Sequence, residues 1–185
     1  MSGIYALFAS VLDYPAAGVF SEARELSRQI AANDSEAADL AREFETALSG
    51  MRLEQLQEVY TSSFDMHPDC VPNLGCHIFG EDVRRNIFMA QLKERMDRAQ
   101  VPKGVELPDH LSLVLRLLDL LENKDEASAL IEDCLIPGVA HILSALRQIN
   151  GSSPYVSALQ ALLATLKDGA SGASATQESV HGEAG

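Results

Sequence analysis

The sequence contains no tryptophan, only three cysteines and few basic residues: 14 lysines and arginines stand against 27 aspartates and glutamates, for a net charge of −13. Nucleic acids and anionic membranes are bound by neutralising phosphates with Lys and Arg, so this balance argues against both as partners. It favours basic proteins or basic peptides instead. Three cysteines in 185 residues do not form a disulfide framework, which indicates a reducing cytoplasm.

Long apolar runs and familiar catalytic motifs are missing as well. No apolar run reaches the ~20 residues of a membrane-spanning helix, and the first residues lack the basic segment of a secretory signal. The sequence contains no phosphate-binding loop, no Gly-x-Gly-x-x-Gly fingerprint, no Gly-x-Ser-x-Gly elbow and no His-Glu-x-x-His zinc motif. These absences favour a binding protein over an enzyme.

What the sequence does contain is helix-forming residues from end to end. Leucine, alanine, glutamate and glutamine dominate, and no stretch alternates apolar and polar residues as a strand does. We therefore predict an all-α, single-domain bundle of about eight to nine helices, covering residues 1–167. Proline and glycine at 65–80 and 99–107 predict two irregular loops. Residues 168–185 carry one large apolar residue and should form a flexible, disordered tail.

Three helix predictions bear on the site. A helix over 81–98 should turn an apolar stripe toward the core, formed by Val83, Ile87, Phe88, Leu92 and Met96. Pro108 should open the next helix in its first turn, and the leucines that follow cover nearly the whole circumference, as in the central helix of a bundle. Residues 125–135 and 137–149 should form two separate helices.

The first irregular loop holds a cluster of residue types that ligate metals. His67, Cys70, Cys76 and His77 lie within eleven residues. Structural zinc sites usually have two pairs of closely spaced ligands, with a dozen or more residues between the pairs. The four residues of this loop are not spaced in that way. We therefore interpret the cysteines as small apolar residues buried under the loop, and we predict no bound metal. The alternative is a metal- or redox-sensing helical protein that uses Cys70, Cys76 and His77.

A second candidate for chemistry is the string ELPDH at 106–110. An acid beside an imidazole could act as an acid–base pair, but neighbouring residues at a helix start diverge by ~100° around the axis. No recognisable nucleophile accompanies the string. Its structural interpretation is that Asp109 caps or complements the helix, which is worth ~1 kcal/mol.

Four strings carry a resemblance to one known family, in order along the chain: LDYP at 12–15, LQEVY at 56–60 with Phe64 and Asp65 after it, FGEDVRR at 79–85 and ELPDHL at 106–111. Through these strings, the chain is similar over about residues 1–150 to the nitrate reductase delta-subunit (NarJ-like) branch of the TorD/DmsD redox-enzyme maturation chaperones. It departs from the family at 85–86, where Arg-Gly is common and Arg-Asn stands here. Segment 70–76 looks more like versions that serve periplasmic molybdoenzymes of the type II dimethyl sulfoxide reductase class.

The resemblance implies a cytoplasmic chaperone that is not an enzyme and holds no cofactor permanently. It would bind the N-terminal, twin-arginine-type leader of an apo molybdoenzyme catalytic subunit and assist insertion of bis-molybdopterin guanine dinucleotide before assembly or Tat export. A leader with basic residues and an apolar helical segment needs an apolar groove with acidic surroundings. Asp109 would meet a leader arginine, and His110 would change charge near neutral pH. The implied client contacts are Tyr60, Phe64, Arg84, Arg85, Glu106, Pro108, Asp109 and His110.

Overall fold

The computed structural model describes residues 3–32, 35–102 and 104–178, and within these ranges the fold is all-α with no strand. The predicted fold class is confirmed. The helices are α1 (Ile4–Val11), α2 (Val19–Ile30), α3 (Glu36–Leu48), α4 (Leu53–Tyr60), α5 (Leu74–Phe79), α6 (Arg84–Arg98), α7 (Leu111–Leu120), α8 (Lys124–Leu130), α9 (Ile136–Asn150) and α10 (Pro154–Glu178).

Two wide π-helical turns lengthen helices. Thr61–Asp65 extends α4, and Ile131–Leu135 connects α8 to α9, so that Lys124–Asn150 is one continuous helix. When joined segments are counted once, the described ranges contain nine continuous helices. The prediction of two separate helices at 125–135 and 137–149 is wrong. Pro137 has no amide hydrogen to donate, and the helix continues across it through a π turn in which the Ile136 amide donates to Ile131, five residues back.

Lys124–Asn150 is also the one helix in the described part of the chain that is long and apolar enough to cross a membrane. Half of its most apolar window is buried inside the protein, as in the core helix of a soluble protein. Length and apolar composition therefore do not make this helix a membrane span.

The core forms where α7 is enclosed by its neighbours. Helix α1 packs along α7, α2 contacts both α1 and α3, and α10 packs along α3 and α9. Helix α7 is buried around most of its circumference, as predicted for a central helix. Its buried residues are Leu111, Ser112, Val114, Leu115, Leu117 and Leu118.

Helix α6 departs from its predicted orientation. It begins at Arg84, and Val83 and Ile87 are 69% and 56% exposed instead of facing the core. Its second half is anchored by the buried Leu92 and Met96. The predicted inward stripe is wrong at Val83 and Ile87, whereas Phe88 is partly buried and packs against the core. The two exposed positions arise because α6 lies at the surface, where its main neighbours α5 and α7 cover only part of it.

The two predicted irregular segments differ in structure. Segment 65–80 contains a single 3-10 turn at Pro68–Cys70 and the short helix α5, whereas 99–107 is free of helix at its described positions. At the other end of the chain, α10 runs to Glu178, beyond the predicted helix end at Lys167. Residues 179–185 lie outside the described ranges, and the flexibility of the tail 168–185 stays a prediction.

Candidate functional site

The ELPDH string forms a tight turn before α7. The amide of His110 donates to the carbonyl of Leu107 at 2.9 Å, with Pro108 in the second position of the turn, where its fixed φ is favourable. Helix α7 starts after the turn at Leu111, with His110 as its N-cap. Pro108 therefore does not open the helix, because its preset backbone angle is used by the turn instead.

Backbone hydrogen bonds attach this turn to the first irregular segment. The amide of Leu74 donates to the carbonyl of Asp109 at 2.8 Å, and the amide of Leu111 donates to the carbonyl of Pro72 at 2.7 Å. Asn73 also pairs with His110 in an isolated antiparallel bridge. The segments 72–75 and 107–111 are therefore one structural unit, here called the turn unit.

Asp109 lies at the centre of the turn unit and is 0% exposed. Its Oδ2 accepts a hydrogen bond from Nε of Arg85 at 2.9 Å and lies 2.9 Å from Nη2 of the same guanidinium in an ion pair. Its Oδ1 accepts a hydrogen bond from Nδ2 of Asn73 at 3.0 Å. The hydrogen bond to Asp109 raises the pKa of Arg85 above its usual value. Asp109 caps no helix, and a leader arginine reaches its carboxylate only if this ion pair opens.

Gly75 provides the space for this ion pair. A Cβ at Gly75 would lie 2.6 Å from Oδ2 of Asp109 and 3.1 Å from Cγ of Arg85. On the opposite side, a Cβ at Gly138 of α9 would lie 2.5 Å from Cδ2 of Leu74, so two glycines allow α5 to fit closely. Neither Asn73 nor Gly75 was predicted from the sequence as a site residue. The feature that could have indicated them is the presence of a polar residue and a glycine inside the otherwise apolar string CVPNLGC at 70–76.

His110 is buried and serves as a cap. Its Nδ1 accepts a hydrogen bond from the amide of Ser112 at 3.3 Å and lies 2.8 Å from the Ser112 hydroxyl. Burial lowers the pKa of His110, and the surrounding carboxylates only partly oppose this effect. The imidazole is therefore neutral at neutral pH, and its charge change lies at more acidic pH than the sequence analysis expects.

Three carboxylates from three separate segments surround Tyr60 and His110. Asp13 follows α1, Asp65 ends the π turn after α4, and Glu106 precedes the turn unit. Their negative charges act on both rings: they raise the pKa of Tyr60, together with the larger effect of burial, and they favour the protonated form of His110. Asp65 and Glu106 are exposed, and Asp13 is half-buried. We call Asp13, Asp65 and Glu106 the acidic patch.

Each acid of the patch is followed directly by an exposed apolar residue. Tyr14, Met66 and Leu107 are 51%, 68% and 50% exposed. Asp13 also lies 3.3 Å from Arg116 in an ion pair, whereas Asp65 and Glu106 are the two exposed acids of the patch. The fold thus collects three acid–apolar pairs that are far apart in sequence.

Tyr60 and Phe64 lie beneath this surface instead of forming it. Both side chains are buried, their ring centroids are 4.9 Å apart, and both contact the buried ring of Tyr155. Tyr14 stands edge-on to Tyr60 at 5.5 Å, which links the exposed aromatic residue to the buried cluster. Tyr60 and Phe64 can therefore position the surface but cannot contact a partner directly in this conformation.

The adjacent arginines Arg84 and Arg85 have opposite placements. Arg85 turns inward to Asp109, whereas Arg84 is exposed and lies 3.0 Å from the carboxylate of Asp82. The two residues were predicted together as client contacts. The structure separates them into one partly buried residue, Arg85, which pairs with the turn unit, and one surface residue, Arg84.

Comparison with known proteins identifies the family. A sequence model described as "Nitrate reductase delta subunit" matches residues 30–149, which is more than half of the chain. The chain belongs to the nitrate reductase delta-subunit family. No curated protein matches it. Among solved structures, a proposed redox enzyme maturation protein from Archaeoglobus fulgidus has the same fold, with a TM-score of 0.59 and 19% identity over 88% of this chain and 91% of the other.

Membership of the delta-subunit family confirms the resemblance seen in the sequence. The family match and the fold support a chaperone that assists the maturation of molybdoenzymes.

The residues of the alternative metal site have other contacts in this delta-subunit protein. Nε2 of His77 lies 2.7 Å from the carbonyl of Val71, and its ring stacks on that of His141 at 4.7 Å. Within the part of the chain that the structure describes, no three His, Cys, Asp or Glu side chains are grouped to hold a metal ion. Burial also raises the pKa of each thiol above its usual value, which keeps it in the less reactive protonated form. The three free cysteines are Cys70, Cys76 and Cys134.

Proposed function

We propose that this delta-subunit protein is a cytoplasmic chaperone that binds the N-terminal, twin-arginine-type leader of an apo molybdoenzyme catalytic subunit. By holding the subunit, it allows bis-molybdopterin guanine dinucleotide to be inserted before assembly or Tat export. The cofactor belongs to the client, and the chaperone itself catalyses no reaction. Family membership supports the maturation role, and the acidic patch supports the leader as the bound segment.

The observation that carries the proposal is the alternation of acids and exposed apolar residues at the patch. A twin-arginine leader presents cationic side chains next to an apolar, helix-forming segment. Asp65 and Glu106 supply negative charge, and Tyr14, Met66 and Leu107 supply apolar contact area at the adjoining positions. Complementary charge speeds encounter and selects the partner, while apolar contact contributes to affinity.

The buried residues of the motif support this surface from below. Pro108 and Asp109 fix the turn that carries Glu106 and Leu107, since the carbonyl and the carboxylate of Asp109 are both held by neighbouring segments. His110 caps α7 in its neutral form. These residues therefore determine where the contact residues lie.

Isolation of the protein with its client from the native host tests the proposal. The captured partner should be the large catalytic subunit of a molybdoenzyme, and it should be captured in its cofactor-free form. Deletion of the client's leader should abolish capture, while deletion of an equally long segment elsewhere should not. Capture that is independent of the leader would contradict leader binding, and absence of any molybdoenzyme subunit would contradict the function as a whole.

A further inference from the structure

The first turns of α6 have the composition of a twin-arginine leader. Residues 84–92 read RRNIFMAQL, which is two consecutive arginines followed by an apolar, helix-forming segment. Residues 84–98 contain five basic and two acidic residues in a chain whose net charge is −13. The chain therefore carries, within its own fold, a cationic and apolar helix start of the kind that we propose it binds in its client.

This internal string is already bound to a carboxylate of the site. Arg85, its second arginine, donates through Nε to the buried Oδ2 of Asp109 and forms an ion pair with the same oxygen through Nη2. Arg84 remains at the surface beside Asp82. The structure thus shows how Asp109 accommodates an arginine that is followed by an apolar helix.

The beginning of α6 is held less firmly than its end. Val83 and Ile87 are exposed, and the preceding chain turns through Gly80 at a φ of 61°, a conformation that favours glycine. Phe88 contacts Phe79 with ring centroids 5.3 Å apart. Because Leu92 and Met96 anchor the second half in the core, the first turns can leave the turn unit without unfolding the helix as a whole.

We propose that residues 84–89 are an internal pseudo-leader, in which Arg85 occupies Asp109 in the free protein and is exchanged for an arginine of the client leader. The proposal rests on the leader-binding function above and adds its regulation. Removal of one partner from a buried ion pair is strongly unfavourable, but exchange of one arginine for another leaves the carboxylate paired both before and after the exchange. Occupation by Arg85 also weakens leader binding. The apparent affinity of a leader equals its affinity for the open site multiplied by the fraction of molecules in which the site is open.

Substitution of Arg85 tests this exchange. Arg85→Gln keeps an amide that can donate to Asp109 but removes the competing charge, so a fluorescent synthetic leader with two consecutive arginines should bind about tenfold more tightly. Arg98→Gln is the matched control, because it removes one charge from an exposed position of the same helix. An Arg85→Gln variant that folds and binds the leader no better than Arg98→Gln would overturn the proposal.

Hydrogen exchange on the unmodified protein provides a second test that does not depend on a variant. Addition of the leader should accelerate amide exchange in residues 84–89 and leave the central α7 protected. The same leader with both arginines replaced by glutamine should not have this effect. Leader binding with unchanged exchange in 84–89 would overturn the pseudo-leader alone, whereas failure of the unmodified protein to bind any leader would overturn the proposed function.

Discussion

The turn unit and the first two turns of α6 meet at a single ion pair, but they are held in different ways. The turn unit combines backbone pairing, a fully buried carboxylate and a glycine that leaves no room for a methyl group. The start of α6 presents Val83 and Ile87 to solvent. The comparison teaches that the turn unit gives the site its geometry, whereas the start of α6 is the part of the site that can move.

The largest effect is expected when the buried centre of the turn unit loses its charge. Asp109→Asn leaves the guanidinium of Arg85 without its counter-ion in a partly buried position, and removal of one partner of such a pair costs about 3–5 kcal/mol. Thermal and urea denaturation should show this loss. Asp82→Asn removes the same charge from the exposed pair with Arg84 and should hardly change the melting temperature. Equal effects of the two variants would contradict the contrast between the regions.

A smaller loss is expected from crowding within the same unit. Gly75→Ala places a methyl group 2.6 Å from the carboxylate of Asp109, and overpacking of this kind costs about 1–3 kcal/mol. Gly104→Ala is the control, since the nearest atom to its added methyl group lies 3.9 Å away. If both variants unfold at the same urea concentration, α5 does not pack against the ion pair as described.

An even smaller effect is expected in the dependence of stability on pH. Burial lowers the pKa of His110 and of His77 below the usual value of 6.5, so the unfolded chain binds more protons than the folded one in the range below that value. Stability should therefore fall as pH drops through about 6.5. His110→Asn keeps a side chain that can cap α7 and should flatten this decline, and addition of His77→Asn should flatten it further. A melting temperature that rises from pH 7.5 to pH 6 would contradict these assignments.

The periodicity of the sequence could predict the helices but not which of their faces are covered. Leucines on all sides of α7 predicted a central helix correctly, because full apolar coverage has one stable location in a bundle. The apolar stripe of α6 predicted an inward face, yet Val83 and Ile87 are exposed. A stripe shows which residues share a face, and only the arrangement of neighbouring helices determines whether that face is buried.

The candidate site was predicted in part. The motif ELPDH indicated Asp109 and His110, but local patterns carry no information about the contacts of Asp109 with Asn73 and Arg85, which lie 36 and 24 residues away. The acidic patch was missed for the same reason, since its members come from three segments that only the fold brings together. Pro137 misled the helix prediction because a π turn can bridge a missing amide.

The central claim is that the acidic patch binds the basic, apolar leader of the client. Calorimetric titration of a synthetic leader into the Asp65→Asn/Glu106→Gln double variant tests it most directly, with Glu132→Gln/Asp133→Asn as a control of equal charge change at exposed positions. The account predicts that the patch variant loses affinity by about tenfold or more, the control retains it, and salt weakens binding of the unmodified protein. Equal affinities of the two double variants, with no dependence on salt, would contradict it.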